Sequence, residues 1–204
     1  MLLRKLPFLM IMSNQFIFQF ERTLQAAALL LKYANEVGHK ITIIHLLKML
    51  YIADREYLAE NGYPLTGDKV AAMQYGPVLS HTFDLIRGKD SASYRWGRYI
   101  QKVGNSHVLR LINDPGIDEL SRLAEKKIAS VFNRFGKLRP FEVVRLTHEF
   151  PEWQKNYQVD TSTWISWQDI LLAQDKSDMV DNAGKQIKLQ LHMERLQEAL
   201  YVSR

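Results

Sequence analysis

Apolar residues recur at helical spacing over two stretches near the start of the chain. Residues 21–37 (ERTLQAAALLLKYANEV) place apolar side chains three and four positions apart, and Gly38 follows as a stop. A second such stretch begins after Thr42, a residue suited to cap a helix, and continues to Asn61-Gly62. The pattern predicts two helices, and the apolar face of the second is wide enough for it to be central.

The middle of the chain departs from this helical pattern. Residues 99–103 and 107–112 are rich in β-branched and aromatic side chains, and Gly104-Asn105 between them can supply the positive φ of a tight turn. These features predict a β-hairpin, which is the only β element that we expect.

Four further segments have helical spacing, at residues 79–86, 117–132, 141–149 and 178–201. In the segment 117–132, Asp118 and Glu119 fall in the predicted first turn, where carboxylates interact favourably with the helix dipole. The last is polar except for one narrow stripe that could dock on the body or on another chain, formed by Leu189, Met193, Leu196 and Leu200.

These elements predict a mostly α (α+β) fold, a compact helical domain with one small β-hairpin and a long C-terminal helix. We divide the chain into an extension at residues 1–20, a domain at 21–175 and a final helix at 176–204. A chain of 204 residues with 47% apolar content can bury the core of one such domain.

Composition narrows the cellular setting. The chain has no cysteine, which excludes disulfides and thiolate metal sites. It has no run of about 18 apolar residues, so we expect no membrane-spanning helix. Arg4 and Lys5 before an apolar run imitate a secretory signal, but Pro7 interrupts the run and no small-x-small cleavage site follows. Translation that begins at Met12 instead of Met1 is an equally simple explanation of this signal-like stretch. We expect a cytoplasmic protein.

The basic excess of the chain is concentrated in its middle. Residues 85–140 carry 12 Lys or Arg against 5 Asp or Glu, whereas the rest carries 15 against 17. Such a patch could attract an acidic protein surface or a nucleic acid, or could be an ordinary solvated face. This surplus of positive charge is smaller than that of a dedicated nucleic-acid-binding protein, so we do not expect nucleic acid to be the main partner.

Motifs of catalysis are missing from the sequence. The six histidines are scattered without an HExxH pair, and no GxGxxG, GxxxxGK[ST] or GxSxG string occurs. Asp54 and Arg55 are neighbours on a predicted helix and so point about 100° apart, which favours structural pairing over joint catalysis. We therefore expect no enzyme activity, no cofactor and no metal.

The tripeptide Tyr75-Gly76-Pro77 forms a conformationally restricted segment before the helix predicted near Leu79. We expect a rigid elbow that packs Tyr75 on the core, with a ligand-contacting loop as the alternative. A buried tyrosine hydroxyl needs a partner. The candidates are Asp54, Arg55 and Asp68.

Three strings together resemble a known family. KMLYIADREYL and YPLTGDKVAAMQYGPVLSHTFDLI are similar to the K-L-L-Y-L-A-D-R, P-(I/L)-T-G-D and Y-G-P-V pattern of the SocA-like Panacea domain, and THEFPEW is similar to a cluster near the end of that domain. The resemblance covers roughly residues 22–175, with Met49, Ile52 and Gln74 as departures from the pattern. The residues that carry it, called the signature residues below, are Lys48, Tyr51, Asp54, Arg55, Thr66, Gly67, Asp68, Tyr75, Gly76, Pro77, His148 and Trp153.

The resemblance implies a mostly helical domain that serves as the antitoxin of a bacterial or phage toxin–antitoxin system. Its partner would be a cognate toxin, neutralised by direct binding. One member of the family delivers its toxin to a protease, so the resemblance also implies a cellular protease as an alternative partner. A nucleic-acid-binding regulator that uses the basic middle of the chain is a further alternative.

Aromatic and arginine residues alternate just before the predicted hairpin. Such side chains dominate protein interfaces, so we predict a toxin-facing surface here. Its residues are Tyr94, Arg95, Trp96, Arg98 and Tyr99. In one alternative, Trp96 and Tyr99 cover the core while the arginines are solvated; in another, the aromatic rings stack on single-stranded nucleic acid. The sequence leaves homo-oligomerisation open.

Overall fold

The structure, a computed structural model, describes residues 15–202. Over this range the helices are α1 (Phe20–Glu36), α2 (Ile43–Asn61), α3 (Ser80–Arg87), α4 (Ser93–Gly97), α5 (Arg122–Phe135), α6 (Pro140–His148), α7 (Pro151–Asn156), α8 (Trp167–Leu172) and α9 (Val180–Val202), with a 3-10 turn at Ser177–Met179. The strands are β1 (Val70–Met73), β2 (Gly76–Leu79), β3 (Ile100–Lys102), β4 (Leu109–Leu111) and β5 (Thr163–Ile165). The expectations for residues 1–14, including a start at Met12, lie outside the described residues.

Helix α2 is the central element of the fold. The Thr42 side chain accepts a hydrogen bond from the backbone N–H of His45 at its start, and Gly62 ends it with a positive φ of 76°. It packs against α5, α6, α8 and strand β2, and almost every side chain from His45 to Ala59 is buried. Both caps and the central position agree with the prediction.

A three-stranded antiparallel sheet lies beside α2. Strand β1 is in the middle, with Val70 opposite Leu79 of β2 on one side and opposite Ile165 of β5 on the other. The mostly α fold with small antiparallel sheets is therefore confirmed, but the expectation of a single hairpin was wrong. Residues 70–79 are a strand pair rather than a lead-in to α3, and Pro77 lies in edge strand β2, where proline is tolerated.

The predicted β-hairpin is present as β3 and β4. Ile100 pairs with Leu111, and Gly104 in the turn has a φ of 55°. The strands are shorter than predicted, and residues just before them form the short helix α4.

The start of α5 differs from the prediction. Ser121 caps it by accepting a hydrogen bond from the backbone N–H of Ala124, so Asp118 and Glu119 precede the helix instead of occupying its first turn. The side-chain amide of Gln25 explains this: it donates to Asp118 Oδ1 at 2.7 Å and accepts from the Glu119 backbone N–H at 2.8 Å. These contacts hold the segment against α1.

Helix α9 is attached to the body near its start. Ala183 and Ile187 are buried, and the side chain of Gln190 accepts a hydrogen bond from the backbone of Ile17 at 3.4 Å. Further along, the stripe residues Leu189, Met193, Leu196 and Leu200 are largely exposed. No helix within residues 15–202 is long and apolar enough to cross a membrane.

Candidate functional site

The signature residues of α2 direct their polar atoms into the protein interior. The first, Lys48, is fully buried, and its Nζ donates a hydrogen bond to the Pro77 carbonyl at 2.6 Å. Burial lowers the pKa of Lys48 to about 7, because a charged ammonium loses its hydration there. This bond joins the central helix to edge strand β2.

Tyr51 and Arg55 both bind the buried carboxylate of Glu152 on α7. The Tyr51 hydroxyl donates to Oε1 at 2.7 Å, and the Arg55 guanidinium donates from Nε at 2.6 Å and from Nη2 to Oε2 at 3.3 Å. Arg55 also lies 4.3 Å above the ring of Phe150. Burial, followed by the neighbouring Glu152 charge, raises the pKa of Tyr51 well above its ordinary value.

Glu152 is a site residue that the sequence reasoning did not identify. It belongs to the THEFPEW string, directly before the signature residue Trp153. An acidic residue inside that string was the available signal, since a buried tyrosine and arginine on α2 need an acceptor.

Asp54 points to a different part of the structure from Arg55. Its carboxylate accepts hydrogen bonds from the Thr66 backbone N–H at 2.6 Å and from the Thr66 hydroxyl at 2.9 Å. Burial raises the pKa of Asp54 to about 7, although the Thr66 bonds oppose that rise. Asp54 and Arg55 therefore make structural contacts with different partners, Thr66 and Glu152.

Asp68 caps helix α3 from outside that helix. Its carboxylate accepts bonds from the backbone N–H groups of His81 and Thr82 at 2.9 and 2.8 Å, and from the Thr82 hydroxyl at 2.7 Å. Burial raises the pKa of Asp68, and these hydrogen bonds act in the other direction. The preceding Gly67 has a φ of 66°, and a Cβ there would collide with the backbone carbonyl of Ile17.

The Tyr75-Gly76-Pro77 segment contributes to the tight turn between β1 and β2 and to the start of β2. Tyr75 is 52% exposed, so the prediction that it packs on the core was wrong; a tight turn between two strands points its side chain outward. Its ring instead meets the edge of Phe141, with centroids 6.1 Å apart. Gly76, at a φ of 90°, lets β2 lie against α6, because a Cβ there would be 2.6 Å from the Thr147 hydroxyl.

His148 and Trp153 complete the set of signature residues. Their rings stack with centroids 4.2 Å apart and planes 8° from parallel, and the Trp153 indole N–H donates to the Met73 carbonyl at 3.0 Å. Burial, followed by the charge of nearby Lys48, lowers the pKa of His148. These contacts join α6 and α7 to strand β1.

The signature residues, most of them buried, therefore make separate contacts that join α2 to the segment before β1, to strand β2 and to α7, and that join α6 and α7 to β1. The family model for the antitoxin SocA-like Panacea domain matches residues 46–154, just over half of the chain. The chain belongs to this family. The matched segment runs from early α2 into α7, so α1, β5, α8 and α9 lie outside it. The comparison with curated proteins found no match, and the comparison with solved structures found none either.

The Panacea domain places the predicted toxin-facing residues in unlike environments. Trp96 is only 2% exposed and belongs to the core, so it cannot contact a partner in the folded chain; this part of the prediction was wrong. Tyr99 is half-buried against the same core, and Arg95 pairs with Glu21. Tyr94 is 72% exposed and Arg98 is also exposed, so these two side chains are accessible to a partner.

Several cations in the basic middle of the Panacea domain are neutralised within the chain. Lys127 contacts Glu56 at 3.1 Å and Glu60 at 2.6 Å, and Arg134 contacts Glu56 at 2.7 Å. Arg139 similarly pairs with Glu142. The unpaired positive charge of this segment is therefore smaller than the charge count of the sequence indicates.

An open groove of about 730 Å³ lies on the surface of the domain, between the start of α2, the β1–β2 turn, α3 and α6. Its apolar lining consists of Ile43, Ile44, Leu47, Met73, Tyr75, Val78, Phe83, Pro140 and Phe141. Within residues 15–202, no group of three or more His, Cys, Asp or Glu could hold a metal ion.

Proposed function

We propose that this Panacea-domain protein is a cytoplasmic antitoxin that neutralises a cognate toxin by binding it directly. The observation that carries the proposal is the family match over residues 46–154. The family is one of antitoxin-like domains, and an antitoxin acts on a partner protein.

The internal bonding of the signature residues supports binding rather than catalysis. Asp54, Asp68 and Glu152 each accept two or more hydrogen bonds from neighbouring groups, and Lys48 donates to a backbone carbonyl. A general acid or base must reach a substrate proton, and these buried groups are occupied by structural partners. The proposed function therefore depends on the outer surface of the fold.

A nucleic-acid-binding regulator is the weaker alternative. Non-specific nucleic-acid binding needs accessible cations that release counterions from phosphates. Lys127, Arg134 and Arg139 of the basic segment are already paired with carboxylates of the same chain. These pairs favour the protein-binding proposal.

Co-expression tests the proposal. The gene adjacent to the one that encodes this chain is expressed from an inducible promoter, alone and together with the chain, and growth is measured. We expect growth arrest by the neighbouring product alone, full rescue by the chain, and co-purification of the two proteins. Absence of rescue, or rescue without a complex, would contradict neutralisation by direct binding.

Toxin abundance in the same cells separates blocking from delivery to a protease. Direct blocking leaves the amount of toxin unchanged or higher when the chain is present. A shortened toxin half-life that is restored in a protease-deficient strain would instead identify the chain as an adaptor.

A further inference from the structure

The groove beside the β1–β2 turn is walled by aromatic side chains that the fold leaves exposed. Phe141 on α6 is 59% exposed and Tyr75 is 52% exposed, and the two rings contact each other edge to face. Phe83 of α3 lines the groove as well. Large exposed aromatic rings around an apolar depression are typical of a surface that another molecule covers.

The charges that line the groove all have one sign. Arg87 and Lys102 are exposed at its edge, and no carboxylate occurs among the described residues that line it. The guanidinium of Arg87 lies 4.8 Å above the ring of Phe83, so a cation and an aromatic face are presented together. A partner that fits this arrangement has apolar side chains in the middle and carboxylates at its margins.

The position of the cations also distinguishes between kinds of acidic partner. Lys48 is among the lining residues of the groove, but it is fully buried and its Nζ donates a hydrogen bond to the Pro77 carbonyl. A small acid such as a fatty acid would need a free cation at the deep end of the apolar space to bind its single carboxylate. The accessible cations Arg87 and Lys102 instead lie at the edge, which suits a polypeptide segment with several carboxylates.

We propose that the groove docks an acidic, amphipathic segment of the toxin. Apolar side chains of that segment enter against Phe83 and Phe141, and its carboxylates pair with Arg87 and Lys102. This inference rests on the proposed antitoxin function and adds to it the binding surface and the chemistry of the partner.

The test uses two groove variants of the full chain, each with a matched control. Phe141→Glu places a charge in the aromatic wall, and its control is Leu123→Glu, since Leu123 is 58% exposed and is likewise the second residue of its helix. Lys102→Glu reverses an edge charge, and its control is Lys126→Glu, an exposed lysine of α5 outside the groove. Circular dichroism and thermal unfolding establish that all four variants are folded.

The readout is the dissociation constant of each purified chain for the toxin identified by co-expression. We expect both groove variants to bind at least about tenfold more weakly than the wild type, and both controls to remain within about twofold. Lys102→Glu should also make the affinity less sensitive to salt, because an ion pair with the toxin is lost. Growth rescue by the groove variants should decrease in parallel.

Other outcomes would overturn the inference in recognisable ways. If the wild type binds the toxin and all four variants bind it with the same affinity, the groove is not the docking site. The proposed antitoxin function would then still stand. Failure of the wild-type chain to rescue growth or to bind the toxin would contradict both the antitoxin function and the docking site. Saturable calorimetric binding of dodecanoate that Phe141→Glu abolishes, with toxin binding unchanged, would assign the groove to a small amphipathic acid. Sedimentation showing a dimer that Phe141→Glu dissociates, again with toxin binding unchanged, would assign it to a second copy of the chain.

Discussion

The guanidinium of Arg55 binds the buried carboxylate of Glu152, with Nε 2.6 Å from Oε1. The Tyr51 hydroxyl reaches the same oxygen at 2.7 Å. Glu152 therefore connects two positions of α2 to a helix that lies 97 residues further along the chain from Arg55. The early and late parts of the family signature meet at this carboxylate.

Glu152→Ala should lower the free energy of unfolding by about 3–5 kcal/mol, because it leaves the partly buried Arg55 without a counter-charge and the buried Tyr51 hydroxyl without an acceptor. Urea denaturation followed by circular dichroism measures this loss. Glu194→Ala, at an exposed position of α9, is the control and should change stability by no more than about 0.5 kcal/mol. Equal effects of the two substitutions would show that the Glu152 contacts do not stabilise the fold.

Asp54 should make the chain less stable as the pH rises from about 4 to 7. Burial raises the pKa of this carboxyl from 3.8 to about 7, so in that range the folded chain holds a proton that the unfolded chain releases. The stabilisation is complete below the unfolded pKa and is lost as the pH rises through the folded pKa. Its size is on the order of 4 kcal/mol.

Asp54→Asn isolates this contribution from those of other carboxyls, because it removes the titrating group and keeps an acceptor for the Thr66 N–H. Urea midpoints of the variant and the wild type, measured from pH 4 to 7.5, should diverge steadily, with the variant gaining relative stability as the pH rises. Parallel curves would mean that the pKa of Asp54 is the same in the folded and unfolded chains.

Gly67→Ala should destabilise the chain more than Gly88→Ala. Both glycines have a positive φ, 66° and 75°, so both substitutions introduce the same kind of backbone strain, about 1–2 kcal/mol. A Cβ at Gly88 meets nothing within 4 Å, whereas one at Gly67 collides with the Ile17 carbonyl. The difference between the two thermal unfolding temperatures measures the close backbone approach, and similar temperatures would contradict it.

The exposed pair Tyr94 and Arg98 keeps the prediction of a toxin-facing surface near α4 open to test. Tyr94→Ala combined with Arg98→Ala should leave stability within about 0.5 kcal/mol of the wild type and weaken toxin binding. Trp96→Ala should instead lower stability by about 3–5 kcal/mol, because it empties a core position. Unchanged toxin affinity in the folded double variant would exclude this surface.

The long helices could be predicted because their signals are local. Thr42 and Gly62 mark the two ends of α2, and the apolar period between them is uninterrupted. The start of α5 was harder to predict, since it depends on Gln25, whose side chain binds a segment more than 90 residues away. Long-range hydrogen bonds of this kind leave no trace in local spacing.

The three-stranded sheet could not be predicted from local pattern. Strand β1 is four residues long and contains Ala71 and Ala72, which have little preference for strands. Its neighbour β5 comes some 90 residues later, so the pairing of Val70 with Ile165 is invisible to any short window. The β3–β4 hairpin was predictable because its strands and its turn are contiguous in the sequence.

The candidate site was predictable as a set of residues and not as a set of contacts. The signature strings identified Lys48, Tyr51, Asp54 and Arg55, but each of these side chains binds a partner distant in the sequence or on the backbone. The exposure of Tyr75 and the burial of Trp96 also follow from tertiary packing. Aromatic residues in short elements carry little information on which way they face.

The burial of most signature residues limits what the family motif reports. We expect a new sequence that contains the motif to have the same fold, because residues such as Lys48 and Asp54 make hydrogen bonds that connect its elements. Under the proposal for the groove, the choice of partner instead depends on side chains such as Phe141 and Lys102, which the motif does not specify. If that proposal holds, two chains with the same motif can bind unrelated toxins, and the residues that line their grooves report more about their targets than their motifs do.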